Sequence, residues 1–118
     1  MKKFNGSCHC GSVKFSFEVE DITSGMRCTC SYCEMRGSAV SKFTLSKDDL
    51  NIKAEDDAMG MYQFDTKIAK HFFCHSCGIH PFLETVRAPG QFRVNLGCLD
   101  GIDVDKLEIV LFDGKNLL

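Results

Sequence analysis

The sequence predicts a mainly β protein, a single domain over residues 1–118 with short helical turns. Two observations predict it. Val13, Phe15, Phe17 and Val19 alternate with Lys14, Ser16 and Glu18, the period-two pattern of a half-buried strand. The turn dipeptides Cys10-Gly11, Pro89-Gly90, Asp100-Gly101 and Asp113-Gly114 punctuate the rest of the chain between short apolar runs.

The elements follow in order. After the strand at 13–19, β-like runs fall at 39–44, 60–64, 71–74, 81–85, 92–96 and 107–112. Ser46 followed by Asp49 resembles a capping box, so 47–50 reads as one helical turn. Residues 103–107 read as another, and the charged stretch 53–57 reads as an exposed loop. Ten phenylalanines and no tryptophan point to a core of aromatic and β-branched side chains.

Composition narrows the function classes. The net charge is −2, and only Lys2 and Lys3 are adjacent basic residues, so no basic field draws the chain to nucleic acid or anionic lipid. The N-terminus carries no apolar run of the kind a secretory signal needs, and no stretch has the length of a membrane span. A cytoplasmic location is expected. Thiols stay reduced there, and clustered cysteines favour metal over disulfides.

Seven of the eight cysteines fall into three groups: Cys8 and Cys10; Cys28, Cys30 and Cys33; Cys74 and Cys77. A structural zinc takes four protein ligands, whereas a catalytic zinc takes three and leaves one position open. Cys8, Cys10, Cys74 and Cys77 therefore read as one closed site that staples the first strand to the middle of the chain. Cys28, Cys30 and Cys33 read as a second, open site, giving two zinc ions in all. If residues 8–10 are extended, Cys8 and Cys10 point to one face and His9 to the other; the same holds for Cys28 and Cys30. Cys33 returns through a turn at Ser31-Tyr32, and Gly11 lets the backbone approach the sulfurs without a Cβ clash.

The fourth ligand of the open site is either exogenous or supplied by Cys98, His75, His80 or His9. Cys98, in Leu96-Gly97-Cys98-Leu99, reads as a core residue. His9 and His71 read as surface or hydrogen-bonded structural residues, and His75 as a solvent-facing residue between two ligands. His80, before Pro81, is the histidine with the strongest claim to a chemical role. Arg36, Lys42, Lys67, Lys70, Arg87 and Arg93 are candidate partners for substrate carboxylates, though a solvated surface is the ordinary place for each.

The segments Gly6-Ser7-Cys8-His9-Cys10-Gly11-Ser12-Val13, Cys28-Thr29-Cys30-Ser31-Tyr32-Cys33 and Phe73-Cys74-His75-Ser76-Cys77-Gly78 resemble the glutathione-dependent formaldehyde-activating enzyme family. That family includes the centromere protein V-like proteins. Gly97-Cys98-Leu99-Asp100, Tyr62-Gln63-Phe64 and Phe72-Phe73-Cys74 add to the resemblance, which runs from about residue 4 to 112. It implies a β-tent of stacked antiparallel sheets. It also implies a structural zinc on Cys8, Cys10, Cys74 and Cys77, and a catalytic zinc on Cys28, Cys30 and Cys33.

The activity implied is the joining of formaldehyde to the thiol of glutathione, or in reverse a carbon–sulfur lyase. The substrate implied is glutathione or a related small thiol. A non-catalytic zinc-binding module for protein interaction is the alternative reading. The odd-numbered cysteine triplet favours the enzyme, since a purely structural protein has little use for an open coordination position.

Overall fold

A computed structural model describes residues 1–63, 69–85 and 90–113. Eleven strands are present among these residues: β1 Lys2–Ser7, β2 Val13–Val19, β3 Ser24–Cys28, β4 Val40–Ser41, β5 Leu45–Ser46, β6 Asn51–Ala54, β7 Met59–Tyr62, β8 Lys70–Cys74, β9 Phe82–Glu84, β10 Gln91–Val94 and β11 Glu108–Phe112. One short helix, α1, spans Ser31–Arg36, and single 3₁₀ turns lie at Leu96–Cys98 and Val104–Lys106.

The strands form three sheets, in the orders β1-β2-β6, β5-β10-β9-β8-β7 and β11-β3-β4. The mainly β expectation holds. All pairings are antiparallel except β3 with β11, which run parallel and place Phe112 opposite Cys28. Single bridges, Gly6 to Leu99 and Val40 to Asn95, tie β1 and β4 to the segment that follows β10.

The alternation read in residues 13–19 is the reason the sheets stack. Val13, Phe15 and Phe17 of β2 are buried while Lys14 and Glu18 face out. Phe15 meets Phe82 of β9 edge-on, with centroids 5.6 Å apart, and Phe82 meets Phe92 of β10 edge-on at 6.2 Å. Each phenylalanine fully removed from water contributes about 1.5–3 kcal/mol, so this seam between two sheets anchors the core. Val94, Leu96 and Leu99 complete it.

Several expectations need correction. The strand read at 39–44 shrinks to Val40–Ser41, because the Ser41 hydroxyl donates to the Phe43 carbonyl (2.8 Å) and accepts from the Val94 N–H (3.1 Å). Those bonds turn the chain out of the ladder. The strand read at 92–96 ends at Val94. Asn95 then caps the 3₁₀ turn, its Oδ1 accepting from the Gly97 N–H at 3.0 Å. The supposed loop at 53–57 begins as strand: the exposed β6 pairs its backbone with β2. All four of its residues are exposed, and so short a run shows no clear period. Strands β1, β3 and β5 carry no clean alternation and were not anticipated.

The Ser46–Asp49 contact is present at 2.9 Å, and the Leu50 N–H reaches the Ser46 carbonyl at 3.2 Å, closing a single turn. The 103–107 turn appears as Val104–Lys106. The run read at 60–64 is β7 as far as Tyr62; Phe64, like Pro89 and Gly114, lies outside the described residues.

Candidate metal centres

The first centre is built at two turns. The Cys8 N–H donates to Val13 O (3.0 Å) and the Gly11 N–H to Cys8 O (3.2 Å), closing the β1–β2 hairpin as a tight turn. Residues 8–10 are therefore not extended, which corrects the alternation expected there. Cys8 is buried and Cys10 exposed. Gly11 sits at φ +85°, and an added Cβ would meet only Lys14 Cε at 3.9 Å. Its role is left-handed backbone, not clearance around the sulfurs.

The second turn follows β8. Cys74 accepts from the Gly78 N–H (2.8 Å) and donates its own N–H to Ile79 O (2.9 Å), folding Cys77 back toward Cys74. His75 is exposed as expected. Its Nδ1 lies 2.8 Å from Asp57 O and its N–H donates to Ala58 O at 2.7 Å, pinning this turn to the one preceding β7.

The two turns bring four sulfurs together. Those of Cys8, Cys10, Cys74 and Cys77 all lie within 4.8 Å of one another, with Cys8 to Cys10 at 3.7 Å and Cys10 to Cys74 at 3.6 Å. A tetrahedral zinc with bonds of about 2.3 Å separates its sulfurs by about 3.8 Å, so the set fits. At Cys77, backbone N–H groups favour thiolate. The Val13 N–H points at Cys8 Sγ (3.3 Å), and those of Cys10 and Ile79 hold the Cys77 thiol down to about 6.

The second centre joins the end of β3 to α1. Parallel pairing with β11, continued by the Thr29 N–H to Phe112 O at 3.0 Å, fixes where the chain leaves the sheet. Cys30 then caps α1: its sulfur accepts from the Cys33 N–H at 3.4 Å and its carbonyl from the Glu34 N–H at 2.9 Å. The turn expected at Ser31-Tyr32 is instead the first turn of this helix, with sulfur in the capping role that oxygen usually fills. Gly37, at φ 77°, ends the helix, its N–H on Cys33 O at 3.0 Å.

The sulfurs of Cys28, Cys30 and Cys33 lie within 4.8 Å of one another, and among the described residues no further Cys, His, Asp or Glu belongs to that set. Burial raises the Cys28 and Cys33 thiols, Arg36 opposing it at Cys33. At Cys30 burial is outweighed by the Cys33 N–H and the neighbouring thiols, and the net direction is down. Three soft donors at this spacing can hold a metal ion that favours sulfur.

Cys98, His75, His80 and His9 stand outside the triplet. Cys98 packs against the core, half-buried, and burial with the nearby Cys8 and Cys77 pushes its thiol up to about 11. His9 is exposed. His71 and His80 are both buried, so His71 is not a surface residue. Desolvation, followed by repulsion from Arg36, lowers His71 to about 4; the same causes, with His71 itself, lower His80 to about 3. Both rings are neutral near pH 7.

The polar and aromatic surroundings of the triplet were largely missed. Tyr32 packs on His71 with centroids 4.0 Å apart and stacks on Tyr62 at 5.5 Å. Its place inside Cys30-Ser31-Tyr32-Cys33 was the available signal. Of the cations considered for substrate carboxylates, Arg93 is buried and donates to Ser41 O (2.9 Å) and Lys42 O (2.6 Å). Lys70 pairs with Glu84 at 3.6 Å. Lys67 and Arg87 lie outside the described residues.

No helix among the described residues is long and apolar enough to cross a membrane. The chain is similar to a Rhodobacter sphaeroides protein of known crystal structure, with 33% identity and a TM-score of 0.81, over 92% of this chain and 99% of that one. Residues 3–110 match the family model described as glutathione-dependent formaldehyde-activating enzyme. A match of that extent, with both cysteine sets assembled in space, places the chain in the glutathione-dependent formaldehyde-activating enzyme family.

Proposed function

We propose that the protein is a zinc-dependent carbon–sulfur lyase that forms and cleaves the adduct of formaldehyde with glutathione or a related small thiol. What carries this reading is the inequality of the two sulfur sets: four donors in one, three in the other, with no fourth protein donor among the described residues. Cys8, Cys10, Cys74 and Cys77 would hold a structural zinc, and Cys28, Cys30 and Cys33 a catalytic one. Bound there, zinc supplies a Lewis acid that keeps a sulfur ligand deprotonated at neutral pH.

In the forward reaction the thiol sulfur bonds to the formaldehyde carbon, the carbonyl π bond breaks, and the thiol proton ends on the new hydroxyl. Proximity does most of the work, since the two reactants need only be held together. The chain contributes a rigid floor: Cys30 and Cys33 are locked in the first turn of α1 and Cys28 at the end of a paired strand. Tyr32, stacked between Tyr62 and the neutral His71, sets an aromatic face beside them. On this reading residues 1–118 act as one cytoplasmic domain on a small-molecule thiol, with neither nucleic acid nor membrane as partner.

The test is exchange between formaldehyde and glutathione followed by NMR, for the wild type and Cys30→Ser. Enzyme-dependent exchange that disappears in Cys30→Ser supports the lyase. Exchange no faster than in buffer, together with a wild type that binds no glutathione, leaves the zinc module for protein interaction in its place.

A further inference from the structure

Arg36 closes the last turn of α1, one turn beyond Cys33. Its Nη1 lies 3.4 Å from His80 Nε2, while Nε and Nη2 are buried with no hydrogen-bond partner among the described residues. The ion pairs among the described residues join Lys2 to Asp21, Lys70 to Glu84 and Lys106 to Asp103; none involves Arg36. Glu34, on the same helix, is exposed. A guanidinium withdrawn from water needs an opposite charge nearby.

Its neighbours narrow what that charge is. His80, buried and neutral, offers Nε2 as an acceptor but no charge, and its carbonyl is held by Asn95 Nδ2 at 2.8 Å. Tyr32 presents its ring face, with the guanidinium carbon 5.8 Å from the centroid. What remains is the sulfur triplet, whose Cys33 lies one turn before Arg36 on the same helix.

We propose that Arg36 is the internal counter-charge of the Cys28–Cys30–Cys33 centre and the residue that lets this centre accept an anionic fourth ligand. The inference rests on the open metal centre argued above. A dication with three thiolates carries a formal charge of −1, which Arg36 brings to zero. A thiol that binds as thiolate, releasing its proton to solvent, then takes the whole to −1 rather than −2. The four-sulfur set is built differently: backbone N–H groups face Cys8 and Cys77, and Cys10 is open to solvent. Arg36 touches neither reacting atom in this scheme; it is a positioning residue that selects by charge.

The experiment uses the full chain loaded with cobalt, whose visible spectrum reports ligand exchange at a thiolate site, in wild type, Arg36→Gln and Arg36→Lys. Each is titrated with glutathione, which binds as an anion, and with imidazole, which binds neutral. Arg36→Gln keeps a donor for His80 without the charge. It should weaken glutathione roughly tenfold or more, as expected for one charge removed at a partly buried site, and leave imidazole within about twofold. Arg36→Lys should retain most of the wild-type preference.

Equal loss of both ligands in Arg36→Gln, or a lost preference in Arg36→Lys, overturns the proposal, and the second arm stands even if Arg36→Gln does not fold. If the wild type takes up a single cobalt, or its spectrum ignores both ligands, the open centre itself is wrong and the role of Arg36 falls with it. A wild type that binds both ligands and an Arg36→Gln that binds them equally well sinks the Arg36 inference alone.

Discussion

Cys10 and Cys74, 64 positions apart, bring their sulfurs to 3.6 Å, and no disulfide joins them. They meet because two unrelated turns, one closing a hairpin and one following β8, face each other across the edge of the core. A shared ion at that point closes a long loop, and structural zinc is worth on the order of 10 kcal/mol in small peptides. Cys77→Ser and Cys8→Ser should therefore destabilise the protein by more than about 2 kcal/mol, or roughly 8 °C in Tm. Cys30→Ser should cost clearly less. Thermal melts of the three variants check this; equal losses would mean the two centres do not divide into structural and catalytic.

The two centres should differ in lability. Elemental analysis is expected to find two zinc ions per chain, and mild chelation should remove one ahead of the other. The faster ion belongs to the triplet, because three ligands on a single segment of chain hold it less securely than four from two distant turns. Loss of Cys28 should abolish uptake of that ion alone. A variant lacking Cys28 that still binds two ions would refute the assignment.

His71 and His80 predict an acid-sensitive fold. Their folded-state values of about 4 and about 3 lie below the ordinary 6.5. Between about pH 6.5 and pH 4 the unfolded chain thus binds more protons than the native one. Stability from these groups is complete above pH 6.5 and drains away as pH falls through that window. Burial is the leading cause at both rings, so each is worth on the order of a few kcal/mol. His80→Gln should flatten the decline in urea midpoint between pH 7 and pH 5 relative to the wild type. An unchanged slope would mean that His80 is accessible to protons in the folded state.

Arg93 is the pin between β10 and the segment leaving β4. Its Nη1 serves both the Ser41 and the Lys42 carbonyls from a buried position. Arg93→Met removes those bonds and strands two acceptors. The expected loss is about 2–3 kcal/mol, with metal content unchanged at both centres. Denaturant unfolding gives the first quantity and elemental analysis the second. Loss of a metal from Arg93→Met would show that this side chain supports a centre and not only the sheet.

Much of the molecule was legible in the chain itself. Period-two patterning placed β2, and cysteine grouping divided seven thiols into a set of four and a set of three. Both signals are local or combinatorial, and the division survives folding because sulfur has few other partners that fit. What stayed hidden was of another kind. The exposed β6 is only four residues long and buries none of them, and its strand state comes from backbone pairing with β2. The helix at Ser31–Arg36 depends on a cysteine sulfur acting as its cap, a role that residue type does not announce. Only the tertiary structure decided that Arg36 and His80, 44 positions apart, are neighbours, and that His71 is buried against Tyr32. Those contacts arise where α1 packs beside β8 and the turn before β9. Burial and charge there are properties of three segments together, and no one of them encodes the result alone.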